Sequence, residues 1–284
     1  MIKKIVPVTI CIPVKNEQTN ISRCLKALER FDDIYVVDSN SSDSTCTISE
    51  SFGAKVVQFK WDSKNLKKRN WFLLNSFGKY QWVFFLDADE VLTTDFVNEL
   101  FNVIHKGTHY SGFWISYQNY FMGKKIKFGD GQKKLALFRR DKGMYEKVID
   151  QSTSHLDMEI HEHPIINGTI GKINSVIDHH DFKGLDHFMQ KHIEYAKWEA
   201  QRFLSKEKDN HGAVSDWTIR QKVKYKILSH WLSCFAYFIY SYLFRLGFLD
   251  GRAGFSYAFY KMWYFHLIYC FIQIELQKLI KDRT

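Results

Sequence analysis

Apolar runs and polar loops alternate in a regular order along the first third of the chain. Runs rich in β-branched and aromatic residues have the length of buried strands, and they lie at residues 5–14, 34–37, 55–59 and 82–86. Between them the pattern predicts helices at residues 19–30, 45–52 and 64–78. Strands that alternate with helices in this way predict a parallel sheet with right-handed crossovers and one ligand crevice at the carboxyl ends of its strands.

The acidic stretch after the last of these runs is the strongest candidate for chemistry. Asp87 and Asp89 follow the predicted strand directly, and because side chains alternate along an extended chain, both point the same way with Ala88 between them. Two converging carboxylates repel each other unless a cation lies between them, which favours a divalent ion that carries phosphates. The alternative is an acidic cap on the helix that starts near Thr93.

Polar residues also follow the first two predicted strands. Asn16 and Glu17 come after the first strand, and Asp38 ends the second. Together with Asp87 they would face the same crevice, and this series of polar strand ends predicts a nucleotide site. Asp38 has an alternative role as a cap on the helix that follows it.

The middle of the chain predicts further strands and helices. The pattern favours a helix at residues 94–105, strands at 112–121 and 135–138, and a helix at 185–203. A β-rich passage with closely spaced acids and histidines begins at residue 158.

The chain changes character after a polar stretch, residues 206–220, that we expect to be a linker. Residues 227–249 and 255–274 are rich in Phe, Tyr, Leu and Ile, and each is long enough to span a bilayer. Internal Arg245 and Lys261, with abundant Tyr and Trp, favour helices that lie in the headgroup zone of an anionic membrane. The alternative is a helical hairpin packed on the rest of the chain or on another subunit of a homo-oligomer.

The composition indicates which class of binding partner and which cellular compartment to expect. The 284-residue chain has a net charge of +9, which favours an anionic partner such as a phosphorylated substrate or an acidic membrane surface. The sequence shows no basic run of a nucleic-acid module, so nucleic acid is not an expected partner. The five cysteines have no zinc spacing and predict reduced thiols in a cytoplasmic protein. A first strand that begins at Ile5 leaves no room for a signal peptide, which agrees with that compartment.

Ordered motifs resemble one enzyme family. The segments ICIPVKNE, YVVDSNSSDST and FFLDADE resemble the nucleotide-sugar half of family 2 glycosyltransferases with the GT-A fold. The segments KRNWFLLN, LALFRR, HHDFKGLDHFMQKHIEYA and FLDGRAGFSYAFYKMWY resemble bacterial enzymes that extend lipopolysaccharide core or other envelope glycans. This resemblance covers nearly the whole chain. It implies an α/β fold, a Rossmann-like and mostly parallel sheet flanked by helices, with a C-terminal aromatic-rich helical appendage.

The resemblance also implies a division into domains. Residues 1–205 would form the GT-A catalytic domain, with a nucleotide-sugar half at 1–105 and an acceptor and metal half at 106–205. After the linker, residues 221–284 would form a helical segment for membrane association or oligomerisation.

Carried over to this chain, the resemblance implies a set of donor-site residues at the strand ends. They are Pro13, Val14, Asn16, Glu17 and Asp38 around the uridine, and Arg69, Asp87, Ala88 and Asp89 nearer the ribose and the phosphates. Asp38 would contact the base, Asp87 would face the ribose or the metal, and Asp89 would ligate a divalent cation that bridges the two phosphates.

A metal ligand and a general base are implied in the second half. His179 matches a histidine that completes the metal site in many relatives, with His180 as its neighbour and rival. Glu162 lies where the subgroup keeps the carboxylate proposed as general base, and Asp157 and Glu159 are the substitutes. Structural roles compete with both assignments, because closely spaced histidines often cap a strand end and Glu162 could be a surface acid.

One departure from the relatives is visible in the segment LALFRR. Relatives commonly have an arginine three residues before Arg139, where this chain has Ala136. If that arginine helps to hold the diphosphate, Arg139 or Arg140 must substitute for it in this chain, or the acceptor differs.

The function implied by the resemblance is an inverting, metal-dependent transfer of a sugar from a UDP-sugar. The metal would be Mn²⁺ or Mg²⁺, and the acceptor a hydroxyl group of a bacterial envelope glycan or glycolipid, at the cytoplasmic face of the inner membrane. Two other classes compete with it. A haloacid dehalogenase-type phosphatase would use Asp87 and Asp89, although strands here precede the acidic motif. A membrane-attached scaffold without catalysis would leave the acids unexplained.

Overall fold

The structure of the protein, a computed structural model, describes residues 4–60, 67–129, 131–146, 164–180, 184–209, 227 and 230–281. The chain divides into two compact units, Met1–Asn119 with Gly131–Asp181, and Tyr120–Asp130 with Phe182–Thr284. The domain boundaries expected from the sequence, residues 1–205, 206–220 and 221–284, remain a prediction.

The first unit begins with parallel strands, as the sequence predicts. They are β1 (Val8–Val14), β2 (Ile34–Asp38), β3 (Lys55–Gln58) and β4 (Trp82–Phe85), in the spatial order β3-β2-β1-β4. The helices α1 (Ile21–Lys26), α2 (Thr45–Ser51) and α3 (Lys68–Leu74) connect them. Both α1 and α3 end at turns, earlier than predicted. The carboxyl ends of β1, β2 and β4 therefore meet at one edge of the sheet.

Later strands make the sheet mixed. The remaining strands of the described chain are β5 (Glu90–Val91), β6 (Gly112–Phe121), β7 (Lys124–Lys125), β8 (Lys133–Arg139), β9 (Gly143–Tyr145), β10 (Pro164–Ile166) and β11 (Ile170–His179). Strand β8 lies antiparallel between β4 and β6, β11 runs parallel to β6, and β5 pairs antiparallel with β11. The predicted strands at 112–121 and 135–138 are thereby confirmed as β6 and part of β8.

Two apolar clusters cover opposite faces of this sheet, which confirms the predicted α/β class. On β1, even-numbered residues from Val8 to Val14 join one cluster, whereas Cys11 joins the other, as the two-residue period of a strand requires. Helix α1 and helix α4 (Thr94–His105) bury their apolar residues in the first cluster, and α3 contributes Phe72 to the second.

A bulge in β11 is held by a carboxylate on α4. The pairing of β11 with β6 shifts between Lys172 and Val176. Glu99 accepts hydrogen bonds from the backbone nitrogens and the side chains of Asn174 and Ser175, at distances between 2.6 and 3.3 Å. Burial raises the pKa of Glu99, but these hydrogen bonds outweigh it and the net pKa is lowered. Helix α4 thus fixes where β11 resumes pairing before its end at His179.

The second unit is built from helices and a short excursion of the chain. Helix α5 (Leu185–Asp209) packs on a C-terminal helix, residues 251–281, through Ala196 and Ala200 against Ile268 and Ile272. The excursion, residues 120–130, is tied to the same unit because the carboxylate of Asp250 accepts hydrogen bonds from the backbone nitrogens of Lys127 and Phe128.

The stretch at residues 227–249 is not the continuous helix that the sequence suggested. Its described part contains α6 (Ser233–Ile239), a π-helical segment (Tyr240–Phe244) and a 3₁₀ turn (Gly247–Asp250), and α7 (Gly251–Lys281) follows. Leu246 has the left-handed φ of 59°, and a Cβ on Gly247 would lie 2.8 Å from the Ser241 carbonyl oxygen. The helix is interrupted here, and the uniformly apolar and aromatic composition of the stretch gave no sign of the break.

Within the described residues, no helix has both the length and the apolar character that crossing a membrane requires.

Candidate active site

Loops after β1 and β2 interlock at the carboxyl edge of the sheet. The backbone nitrogen of Asn16 donates to Ser41 Oγ at 2.8 Å, and its side-chain oxygen accepts from the Ser42 backbone nitrogen at 2.8 Å. The backbone nitrogen of Glu17 donates to Thr45 Oγ1 at 2.8 Å. Asn16 and Asn40 both have left-handed φ angles, which asparagine tolerates better than most residues. Asn16 and Glu17 therefore lie at the predicted edge and fix the shape of these loops.

Asp38 lies buried at the end of β2. Its two carboxylate oxygens accept from the backbone nitrogen of Ser41 at 3.0 Å and from Ser41 Oγ at 2.5 Å. Burial raises the pKa of Asp38, but the hydrogen bonds from Ser41 lower it by more, so the net pKa is below its ordinary value and the carboxylate stays ionised. The carboxylate beside the start of α2 is Asp43, which accepts from the backbone and hydroxyl of Thr45.

The end of β1 has a cation that the sequence did not single out. Pro13 and Val14 end the strand, and Val14 pairs with Asp38 in the parallel register. Buried Lys68, on α3, donates its ammonium to the Val14 carbonyl oxygen at 3.1 Å. A positive charge thus lies beside the predicted uridine-lining residues.

Asp87, two residues after the end of β4, is held by two cations. Arg69 Nη2 lies 3.0 Å from one carboxylate oxygen, and Lys134 Nζ lies 2.6 Å from the other. Burial raises the pKa of Asp87, but Lys134 and then Arg69 lower it far below its ordinary value. The structure thus brings Arg69, which the sequence placed near the donor, into contact with the acidic motif.

Glu90 is the third acid of the motif, and it points inward. Its Oε1 lies 2.5 Å from Lys134 Nζ, and its Oε2 accepts from the Asp87 backbone nitrogen at 3.0 Å and lies 3.5 Å from the Tyr117 hydroxyl. Burial, together with the neighbouring charges of Asp87 and Asp89, raises the pKa of Glu90 to about 8 despite Lys134.

Asp89 and His179 form the pair that can hold a metal ion. Asp89 Oδ1 lies 3.6 Å from His179 Nε2, and their side chains are 15% and 12% exposed. His179 Nδ1 is 3.0 Å from Asn119 Oδ1; an amide oxygen accepts, so this nitrogen carries the proton and Nε2 presents its lone pair towards Asp89. Ala88, between the two aspartates, is buried.

The neighbouring histidine is used differently. The backbone nitrogen of His180 donates to the Asp89 carbonyl oxygen at 2.9 Å, which ties the end of β11 to the acidic motif. Burial and the charge of Arg23 lower the pKa of His180. Of the two histidines, His179 is the one whose imidazole the structure places against Asp89. In the part of the chain that the structure describes, no group of three or more His, Cys, Asp or Glu forms a metal cluster.

Arg139 and Arg140, one of which was expected to substitute for the arginine of the relatives, lie away from the acidic motif, whereas Lys134 contacts it. Arg139 pairs with Trp82 at the opposite end of β4, five residues from Asp87 or about 17 Å along an extended chain. Arg140 donates to the carbonyl oxygens of Phe77 and Gly78. Lys134 and Ala136 are two apart on β8 and share a face, so the lysine reaches the site from the same strand.

Glu162, with its substitutes Asp157 and Glu159, lies outside the described residues. The assignment of Glu162 as general base therefore rests on the sequence resemblance and stays a prediction.

The comparisons with known proteins agree on one enzyme family. The chain is 26% identical over 206 residues to an uncharacterised glycosyltransferase of Rickettsia conorii, a match that covers 69% of this chain and 70% of the relative. It is 26% identical over 176 residues to the lipopolysaccharide core biosynthesis glycosyltransferase LpsC of Rhizobium meliloti, covering 60% of this chain and 61% of that protein.

Among solved structures, one match is glucosyl-3-phosphoglycerate synthase from Mycobacterium tuberculosis in complex with Mn²⁺, UDP and glucosyl-3-phosphoglycerate. The identity is 20%, the TM-score is 0.30, and the match covers 41% of this chain and 44% of that chain. The chain thus spans less than half of that synthase.

The description of the matching family model is "Glycosyl transferase family 2", and the match runs from residue 9 to residue 156. It includes the interlocked loops after β1 and β2, the acidic motif after β4, and Lys134 on β8. The chain belongs to glycosyltransferase family 2.

Proposed function

We propose that this glycosyltransferase moves a sugar from a UDP-sugar to a hydroxyl group of a bacterial envelope glycan or lipid-linked acceptor, with inversion and with a divalent cation. The observation that carries the proposal is the arrangement after β4. There Asp89 faces His179, while Asp87 is held by Arg69 and Lys134. Membership of the family sets aside the phosphatase that the acidic motif also suggested.

Asp89 and His179 fit a divalent cation by their chemistry. A carboxylate oxygen and an imidazole nitrogen are suitable ligands for Mn²⁺ and Mg²⁺, and the imidazole favours Mn²⁺. Such ions complete their coordination with water and with substrate phosphates, so a pair of protein ligands suffices. When bound, the ion supplies positive charge to the diphosphate as it leaves.

The other residues of the edge would bind and orient the donor. Arg69, Lys68 and Lys134, which lie beside Asp87 and Val14 at this edge, would supply positive charge to an anionic diphosphate. Donor-site roles are also proposed for residues of the strand-end loops and the acidic motif: Pro13, Val14, Asn16, Glu17, Asp38, Asp87 and Ala88.

The reaction would be a single displacement at the anomeric carbon. The acceptor oxygen forms its bond as the bond to the diphosphate breaks, and Glu162 would take the proton that the acceptor hydroxyl loses. Attack from the face opposite an α-linked diphosphate gives a β-linked product. The relative LpsC is described as an enzyme of lipopolysaccharide core biosynthesis, which supports an acceptor of the envelope-glycan class.

The second unit would attach the enzyme to an anionic membrane surface, at the cytoplasmic face of the inner membrane. More than half of the exposed large hydrophobic side chains in the described chain lie between residues 227 and 274, and Phe244 is 76% exposed. This range contains one acidic residue, Asp250, and three basic residues, Arg245, Arg252 and Lys261. Its net charge is therefore positive, which suits anionic lipid headgroups. The alternative is that this exposed surface packs against a second copy of the chain.

Calorimetry with UDP in the presence and absence of Mn²⁺, followed by a screen of UDP-sugars for UDP release, tests the proposed donor. We expect Mn²⁺-dependent UDP binding by the wild-type protein and its loss in Asp89→Asn, because that substitution removes the charged ligand. Exposed Asp95 lies in the same unit, so Asp95→Asn is the matched control and should bind UDP like the wild type. A wild-type protein that ignores both UDP and Mn²⁺ would favour the scaffold reading instead.

A further inference from the structure

The ammonium group of Lys134 lies between two carboxylates of the acidic motif. Its Nζ is 2.6 Å from Asp87 Oδ2 and 2.5 Å from Glu90 Oε1, and it lies 5.0 Å from the centre of the Tyr117 ring. The side chain is 30% exposed, and the Glu90 side chain is 1% exposed. One lysine therefore joins the acid at the strand end to the acid buried behind it.

The positive charge of Lys134 offsets the repulsion among the carboxylates of the acidic motif. Asp87, Asp89 and Glu90 lie within four consecutive residues, and like charges so close together, partly out of water, repel one another. Arg69 contacts one carboxylate oxygen of Asp87, and Lys134 contacts the other oxygen and also Glu90. With the two carboxylates bound in this way, their side chains are held in fixed positions, and Asp89 is the acid that faces His179.

We propose that Lys134 is a positioning residue of the donor site. Its ammonium group holds Asp87 and Glu90 together, and this keeps the acidic motif in the shape that lets Asp89 and His179 bind the cation. Lys134 acts through its neighbours rather than by contact with the sugar. Its bonds to the two carboxylates and its contact with the Tyr117 ring occupy the ammonium group.

The contacts of Glu90 support this role. Glu90 also accepts from the backbone nitrogen of Asp87, so it holds that residue through the main chain as well as through Lys134. In addition, β5 pairs Glu90 with His179. A lysine that fixes Glu90 therefore fixes a residue that contacts the motif and also lies opposite the metal-binding histidine.

The inference rests on the proposed function, and its test compares the wild type with Lys134→Met, Lys134→Arg and the double variant Lys134→Met/Glu90→Gln. The measurements are UDP affinity by calorimetry in saturating Mn²⁺, the Mn²⁺ concentration that gives half-maximal UDP binding, and thermal unfolding. Supporting partners of metal ligands typically alter metal affinity by about 10- to 100-fold when removed, and we expect a loss of that size in Lys134→Met. Lys134→Arg keeps the positive charge and should recover much of the loss.

The double variant distinguishes positioning by charge from simple packing. Glu90→Gln keeps a side-chain oxygen that can accept from the Asp87 backbone nitrogen, and it ensures that no buried carboxylate is left without its cation when Lys134 is replaced. We expect it to bind Mn²⁺ and UDP better than Lys134→Met does. Exposed Lys133, the preceding residue of β8, provides the control Lys133→Met, which should behave like the wild type.

The outcomes separate this inference from the proposed function. If the wild type does not bind UDP with Mn²⁺, the donor site and this inference are both wrong. If the wild type binds but Lys134→Met binds equally well, the inference alone is wrong. The same holds if the double variant is no better than Lys134→Met, or if Lys134→Arg is no better than Lys134→Met while both remain folded.

Discussion

Replacement of Asp33 by alanine tests a buried carboxylate that joins separate parts of the first unit. The Asp33 side chain is fully buried. One oxygen accepts from Thr9 Oγ1 at 2.7 Å and from the Lys79 backbone nitrogen at 2.8 Å, and the other accepts from Lys55 Nζ at 3.0 Å. Asp33 therefore ties β1 to the turn before β4 and to the start of β3.

The expected cost follows from the donors that lose their acceptor. In Asp33→Ala the Thr9 hydroxyl and the Lys79 backbone N–H lose the carboxylate, at about 1–3 kcal/mol each, whereas the exposed Lys55 ammonium can turn to water. The free energy of unfolding at pH 7 should fall by about 2–6 kcal/mol. Urea denaturation followed by tryptophan fluorescence measures the change.

The pH dependence of the loss has a definite sign. Burial raises the pKa of Asp33, but hydrogen bonds from Lys79, Thr9 and Lys55 outweigh it, and the folded-state pKa is lowered. The stabilisation is therefore complete above the unfolded-state pKa of about 3.9 and is lost as the pH falls through the folded-state pKa. The difference between wild type and Asp33→Ala should be largest near neutral pH and shrink in acid.

The neighbouring residue provides the control. Asp32 is 41% exposed and pairs with Lys79 Nζ at the surface, so Asp32→Ala should change stability much less. The reasoning would be refuted if the two substitutions were equally destabilising, or if the effect of Asp33→Ala were the same at every pH.

The remaining predictions concern other parts of the chain. Gly254→Ala should destabilise the second unit by about 1–3 kcal/mol, because a Cβ there would clash with the Gly247 carbonyl oxygen; thermal unfolding measures the change, and an unchanged midpoint would contradict the contact. Glu99→Ala should cost about 1 kcal/mol in urea denaturation, because the Asn174 and Ser175 donors of the β11 bulge lose their acceptor, and a neutral result would argue against that role. Phe244→Glu should weaken sedimentation with anionic vesicles about tenfold, whereas Phe52→Glu in the first unit should not. If Phe244→Glu changed the oligomeric state without any change in vesicle binding, this surface would instead be an interface with a second copy of the chain.

The strands and the acidic edge could be predicted because their signals are local. A short apolar run followed by an acid shows both the strand and its end, and β1, β2 and β4 therefore lie where the sequence placed them. Parallel connections then bring the strand ends together, which is why Asp38 and Asp87 could be assigned to one edge before any coordinates.

Lys134 could not be placed in the same way, because its position depends on which strands pair. Strand β8 lies antiparallel between β4 and β6, and no local pattern in LALFRR records that arrangement. The sequence did contain one relevant signal, which is the two-residue spacing between Lys134 and Ala136. Residues two apart on a strand share a face, and relatives commonly carry an arginine at the position of Ala136. The break near Leu246 was missed for a similar reason, because it depends on a close approach of Gly247 to Ser241 rather than on composition.

The register of two strand pairings decides whether the imidazole of His179 lies against Asp89. Strand β5 pairs Glu90 with His179, and the parallel ladder of β6 and β11 pairs His179 with Asn119, whose side chain fixes the imidazole. A slip of β11 by one residue would turn His179 to the other face of the sheet and bring His180 into its place. The bulge held by Glu99 lies just upstream and sets this register. Backbone pairing and a carboxylate on α4 therefore place the imidazole of His179, rather than that of His180, against Asp89, and the role of His179 as a metal ligand stays a prediction.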